Sequence, residues 1–384
     1  MSDFTANWNY PTAIRFGPGR IAELPAICGE LGIERPLLVT DTGLADHEIV
    51  RSAVALCTDV GLPCAVFSGV EPNPSGENVE LGVAAFHDGN HDGVIAFGGG
   101  SSLDAGKAVA FMVRQTRSIW DFEDVGDNWT RAITENLPPV IAVPTTSGTG
   151  SEVGRASVIT NREARVKKII FHPRMLPEIV IGDPDLTLGL PKHITAATGM
   201  DALSHNLEAF FAPFYHPLAR GIAVEGARLV KEWLPAVCED GANAEARTQM
   251  MVASMAGATA FQRGLGGMHA LAHSLGALYG AHHGLLNAIL MPYVLEANRS
   301  AIEADAAYLA RCLDLDDGLD GLVAWILELR SEVGIPETLR EIEIDETDSE
   351  LIGKMAVRDP AAGGNPIPFT ESQYEAVFRA AVSA

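Results

Sequence analysis

Apolar positions along the chain change their spacing near its middle. In the first half, compact apolar runs alternate with stretches whose apolar residues recur every three or four positions. Residues 10–16 read as a short strand ended by Gly17-Pro18-Gly19, residues 20–31 as a helix, and residues 35–40 as a buried strand that stops at Asp41. Helical spacing returns over 49–60, an extended run over 64–67 and an amphipathic stretch over 79–88. A compact apolar strand over 93–97 then leads into helical spacing over 103–113, and 139–143 adds another strand. Such alternation predicts a Rossmann-like parallel sheet with helices on both faces.

From about Leu190 strand-like runs nearly vanish. Helical periodicity spans 191–211, 218–234, 244–261, 268–279, 286–298, 301–312 and 319–333. The Asp183-Pro184-Asp185-Leu186 turn and Pro191 mark the join. The expectation is an α/β domain over 1–186 followed by an all-helical domain over 187–384. Two cores suit 384 residues, since single cores stop growing near roughly 250–300 residues.

The formal charge of −23 argues against nucleic acid or an anionic membrane as a partner and reads as a solubilising surface. Five cysteines, at 28, 57, 64, 238 and 312, form no CxxC pair. They predict neither a disulfide framework nor a thiolate zinc site, and they fit a reducing cytoplasm. The opening MSDFTANWNYP lacks the basic start and apolar core of a secretory signal. No apolar run approaches the roughly 18–20 residues of a membrane helix.

Candidate chemistry sits at three places. The strand at 93–97 runs into Gly98-Gly99-Gly100-Ser101-Ser102 and then a helix. Glycines there let backbone N–H groups approach phosphate oxygens at a helix N-terminus. The spacing is not GxGxxG, so a tight turn without a ligand fits too, with Asp104 a first-turn residue and Lys107 a solvated charge. Asp41, at the end of an earlier strand, can accept hydrogen bonds from adenosine ribose hydroxyls and repel a 2′-phosphate, which favours NAD over NADP. Next, Pro144-Thr145-Thr146-Ser147-Gly148-Thr149-Gly150-Ser151-Glu152 offers hydroxyl and amide donors directly after a strand, suited to a second wall of a phosphate or nicotinamide pocket.

The third place is the helical half. His269, His273, His282 and His283 fall within fifteen residues, and His269 and His273 share a helix face. Asp201 and His205 are also four apart. An aspartate with three histidines makes an open site of nitrogen and oxygen donors, suited to Fe(II), Zn(II) or another first-row divalent ion.

The motifs GGGSSLDAGK, PTTSGTGSE, GMDALSH and HALAH…HHG, in this order and spacing, resemble those of the iron-containing (group III) alcohol dehydrogenases, which share the dehydroquinate synthase-like fold. The resemblance runs from about Tyr10 to the C-terminus. It implies an N-terminal domain that binds NAD(P) and a helical domain that binds the metal through Asp201, His205, His269 and His283. His273 matches a histidine near nicotinamide and substrate that does not ligate the metal, a candidate for relaying the alcohol proton. Gly98, Gly99, Gly100, Ser101 and Asp104 match the pyrophosphate loop, Asp41 the ribose-side acid, and Asn73 a nucleotide-contacting asparagine. Thr145, Thr146 and Thr149 match the second cofactor loop, and Lys167 a cofactor-binding lysine. His282 has no matching role.

The implied activity is reversible, NAD-linked oxidation of a short alcohol to an aldehyde or ketone, by a homodimer or larger oligomer. Arg155 and Arg263 lie in segments that depart from the family pattern. If both face the substrate, they would hold a carboxylate, sulfonate or phosphonate, making it a hydroxy acid or its semialdehyde. A metal-dependent hydrolase using the same Asp/His set, or a lyase on the same fold, is the alternative.

Overall fold

The computed structural model describes Tyr10 and residues 12–383. Two compact units divide the chain. One extends as far as Thr146 and from Gly150 to Leu188; the other comprises Ser147–Thr149 and the chain from Gly189 onward.

The first unit alternates strand and helix. In chain order it holds β1 (Ala13–Phe16), α1 (Leu24–Glu30), β2 (Pro36–Asp41), α2 (Glu48–Thr58), β3 (Ala65–Val70) and α3 (Gly76–Asp88). These are followed by β4 (Gly93–Gly98), α4 (Gly100–Met112), β5 (Val140–Pro144), β6 (Ala156–Asn161), β7 (Val166–Phe171) and β8 (Ile179–Gly182). Six strands form one parallel sheet in the order β1-β8-β5-β4-β2-β3. All of β4 and β5 is buried. A parallel sheet covered on both faces needs apolar side chains on both, hence the unbroken apolar runs. Leu24, Ile27, Val50 and Ala53 pack with Leu38, Ile95 and Ile141 in one core.

Strand order also marks a position. β2 has β3 on one side and β4 on the other, so the chain reverses its direction of travel across the sheet there. Ligands of open α/β sheets bind outside the carboxyl ends of the strands at such a switch point. Asp41 is the last residue of β2 and Gly98 the last of β4.

The structure adds elements that apolar spacing did not reveal. β6 and β7 form an antiparallel hairpin, with Ala156 opposite Phe171 and Asn161 opposite Val166. The alternation of β7 is blurred by Lys167 and Lys168. β8 is only four residues long. The strand anticipated from residue 10 begins at Ala13. Pro11 and, apart from Tyr10, the stretch considered for a leader lie outside the described residues.

The second unit is helical: α5 (Lys192–Phe211), α6 (Pro217–Glu239), α7 (Ala244–Ala260), α8 (Gly267–Tyr279), α9 (His283–Ala297), α10 (Arg299–Cys312), α11 (Gly318–Val333), α12 (Ser349–Ala356) and α13 (Glu371–Ser383). The last two were not anticipated. α5 is central, and every residue from Thr195 to Phe211 is buried. The start of α9 lies against it so closely that a Cβ on Gly284 would sit 2.4 Å from the Ala197 carbonyl oxygen. Only glycine permits that approach. The break between α8 and α9 falls at Gly280, which adopts a left-handed φ of 66°, the usual helix-terminating geometry. α9 starts at His283, three residues before the expected 286. Among the described residues no helix is long and apolar enough to cross a membrane.

Lys107 of α4 is not a solvated charge. It is 1% exposed, and its Nζ donates to the carbonyl oxygens of Ser151 and Ala156 and pairs with Asp104. Beside it, burial pushes the Glu152 carboxyl up to about 7, against the pull of Lys107. A folded-state value above the unfolded one means that the folded protein holds a proton the unfolded chain has released. Glu152's contribution is therefore fully present below the ordinary carboxylate range and is lost as pH rises through about 7. Glu152→Gln should be more stable than the wild type at pH 8, by roughly 1–3 kcal/mol, with the advantage gone at pH 4. Melting temperatures across that range check this; a pH-independent difference would contradict it.

Candidate metal centre and cofactor loop

Asp201 and His205 lie one turn apart on α5, His269 and His273 one turn apart on α8, and His283 is the first residue of α9. Ligand atoms of Asp201, His205 and His269, all buried, fall within 4.8 Å of one another. His283 Nε2 stands 3.7 Å from Asp201 Oδ1, and its ring centre is 5.2 Å from that of His269.

The outer ring nitrogens are tied down. His269 Nδ1 donates to Glu208 Oε2 at 2.7 Å, and His205 Nδ1 donates to the Gly148 carbonyl oxygen at 3.2 Å. A carboxylate or carbonyl oxygen only accepts, so each Nδ1 carries the hydrogen and each Nε2 keeps a lone pair. Glu208 also accepts the Gly266 and Met268 amides, each at 2.7 Å, placing its charge at the N-terminus of α8, where the helix dipole favours an anion. Burial pulls His205 down to about 4, leaving it neutral. Burial also acts downward on His269, but the charge and hydrogen bond of Glu208, with Asp201 and Asp359, hold it above its ordinary value. A buried carboxylate among imidazole nitrogens is costly without a compensating cation. The donor set, nitrogen and oxygen with no thiolate, fits a first-row divalent ion.

His273 faces a different partner. Its Nδ1 donates to Asp359 Oδ2 at 3.0 Å, and its ring lies 5.3 Å from that of His283, nearly parallel. Asp359 is itself held by the Ala361 amide on Oδ1.

In the α/β unit the glycine loop closes on itself. Gly98 has φ +141°, and a Cβ there would meet Ser102 Oγ at 2.5 Å. Its carbonyl oxygen accepts the Thr145 amide at 3.0 Å, and Gly99 approaches the Thr146 methyl. α4 then opens at Gly100 and Ser101 with no side-chain cap, leaving its first amides for an anion. Asp41 Oδ1 accepts the Gly43 and Leu44 amides at 2.9 and 3.1 Å, and Oδ2 accepts Ser102 Oγ at 2.8 Å. Asn73 donates its backbone N–H to Ser101 Oγ at 3.3 Å and receives Lys167 Nζ on its side-chain Oδ1 at 2.7 Å. These residues therefore come together. Asp104 is turned into the fold, accepting Ser151 Oγ and the Val158 amide beside Lys107. Thr149 belongs to the helical unit, with Ser147 and Gly148.

The model for iron-containing alcohol dehydrogenases matches residues 11–184, and that for the C-terminal part of the Fe-containing alcohol dehydrogenase family matches residues 195–382. The chain belongs to this family. It is an oxidoreductase acting on alcohols. The dehydrogenase is 38% identical to the 4-hydroxybutyrate dehydrogenase of Cupriavidus necator, over 95% of this chain and 97% of that protein. The crystal structure of a 1,3-propanediol oxidoreductase matches with a TM-score of 0.93 at 36% identity, covering 98% of this chain and all of that one. The sulfoacetaldehyde reductase of Bifidobacterium kashiwanohense, solved in complex with NAD+, matches at 0.90 and 29% identity, with 100% of both chains covered. No hydrolase or lyase is among these relatives, and that alternative gains no support.

The two arginines considered for the substrate have different surroundings. Arg263 is buried, and its Nε and Nη1 donate to the carbonyl oxygens of Phe214, Ala209 and Phe210. Its guanidinium caps the C-terminal end of α5, where the dipole favours a cation, and its Nε and Nη1 are committed there. Arg155 is half-buried, with its guanidinium 5.5 Å from the centre of the Phe171 ring. His282 acquires a role as N-cap of α9, accepting the Leu285 amide on Nδ1 at 3.4 Å.

Glu208, Asp359 and Asn287 were missed. Glu208 was legible, because positions 201, 205 and 208 share one helix face. Asp359 lies 86 residues from His273 and left no local signal. Glu208→Ala should weaken divalent-ion affinity by about 10–100-fold. Competition with a chelator measures this; unchanged affinity would deny Glu208 its orienting role.

Proposed function

We propose that the dehydrogenase catalyses reversible, NAD-linked interconversion of a short alcohol and its aldehyde, with Asp201, His205, His269 and His283 holding Fe(II) or, in its place, Zn(II). The observation that supports this most is the convergence of the buried ligand atoms of Asp201, His205 and His269 within 4.8 Å. When bound, the ion supplies Lewis acidity that lowers the pKa of an alcohol, and the nicotinamide accepts the hydride. His269 and His205, fixed by Glu208 and Gly148, present Nε2 inward. His273, with Nδ1 committed to Asp359, has Nε2 left to take or return the alcohol proton. The loop at Gly98, Gly99, Gly100 and Ser101, with Asn73, Lys167, Thr145, Thr146 and Thr149, would hold the dinucleotide. Asp41, at the end of β2, favours NAD over NADP by repelling a 2′-phosphate. Asp104 would support that loop from within the fold.

The 4-hydroxybutyrate dehydrogenase and sulfoacetaldehyde reductase relatives favour a substrate with an anionic group at its far end, and Arg155 is the arginine proposed to meet it. Five free cysteines accord with a cytoplasmic enzyme, and we take it to be a homodimer or larger. An anaerobic assay of iron- and zinc-loaded protein should give NADH with 4-hydroxybutyrate at a higher kcat/KM than with 1-butanol, and a lower rate with NADP. A clear preference for 1-butanol would sink the anionic substrate. No activity with any alcohol would sink the ion-assisted dehydrogenase.

A further inference from the structure

α9 is apolar apart from a few positions, and one of these, Asn287, is fully buried one turn after His283. A primary amide with no exposure in such a helix is destabilising unless its polar atoms find partners. Asn287 Nδ2 faces three acceptors, Asp201 Oδ1 at 2.8 Å, His269 Nε2 at 3.2 Å and His283 Nε2 at 3.2 Å, while its Oδ1 has no hydrogen-bond partner among the described residues. An NH2 group has two hydrogens, so it serves at most two of the three at once. The same three atoms belong to the ligand set proposed above, on which this inference rests.

We propose that Asn287 is a positioning residue of the metal centre, its amide holding Asp201 in place between the His269 and His283 nitrogens and so setting affinity and ligand geometry. The contacts reach residues on all three helices that build the site: α5 through Asp201, α8 through His269 and α9 through His283. His269 and His205 have outer nitrogens held by Glu208 and Gly148. Asn287 acts from the inner side, on the atoms that face the ion. A carboxylate oxygen has more than one lone pair. The bond to Asp201 can therefore persist with an ion bound, while those to the imidazole nitrogens must yield. Asn287 would also hold Asp201 in one rotamer, leaving less ordering to occur when the ion enters.

Asn287→Leu keeps the branched side-chain shape, with bulkier methyl groups, and lacks the donor, whereas Asn287→Ala removes both shape and donor. Each variant and the wild type are titrated with Co(II) and Zn(II) against a chelator. Each is also melted with and without the ion, and the visible spectrum of the Co(II) form is recorded. Both variants should bind at least about 10-fold more weakly, show a smaller gap between loaded and metal-free melting temperatures, and display a shifted Co(II) spectrum. A merely structural role would lower both melting temperatures equally and leave gap and spectrum unchanged. If Asn287→Ala fails to fold without metal, Asn287→Leu still decides the matter. Wild-type affinity and spectrum in Asn287→Leu would overturn the proposal while leaving the metal site standing. Failure of the wild type to bind either ion would overturn both.

Discussion

His269→Ala should leave less than about a thousandth of wild-type kcat/KM, because Lewis-acid stabilisation is worth several kcal/mol and each 1.4 kcal/mol is tenfold in rate. It should also lose most of its bound ion. The substitution removes one of the three mutually close buried donors and leaves Glu208, which accepts from His269 Nδ1 at 2.7 Å, buried with a partner missing. Some loss of stability will accompany the loss of activity. Asp201→Asn separates the two effects, since it keeps the side-chain volume and removes only the charge. Elemental analysis of both purified variants alongside rates checks the prediction; full metal content with full activity in either would contradict it.

The second large effect belongs to a histidine expected to stand beside the ion without binding it. His273→Ala should lower kcat by about 10²–10⁴-fold, the usual span for a lost general base, with metal content near normal. Asp359→Ala should reproduce part of that loss, because without the bond to Nδ1 at 3.0 Å the ring is free to turn and change tautomer. Loss of the ion in His273→Ala would make His273 a ligand. Normal turnover in both variants would remove the pair from the proton path.

Local spacing made some of this legible and hid the rest for physical reasons. β2, β4 and β5 announced themselves because a doubly covered parallel sheet tolerates few polar residues. The β6–β7 hairpin did not, because its strands are largely half-buried and β7 carries Lys167 and Lys168. Asp201 with His205, and His269 with His273, were visible as four-residue pairs on helix faces. Convergence of these pairs with His283 depends on α8 ending at Gly280 and on the absence of a side chain at Gly284, and neither follows from periodicity. Arg263 drew attention because its segment departs from the family pattern, and nothing local in the sequence showed that carbonyls at the end of α5 would accept from it. Asn287 was hidden for the opposite reason, as a polar residue in a mostly apolar helix whose partners Asp201 and His269 lie far away in sequence.

An anomalous-scattering map on crystals of the iron-loaded enzyme, collected across the iron absorption edge, most directly tests the central claim. The expected result is one strong peak at about 2.0–2.3 Å from Asp201, His205 Nε2, His269 Nε2 and His283 Nε2, with His273 outside ligand distance. A peak elsewhere in the chain, or one ligated by His273 in place of His283, would contradict it.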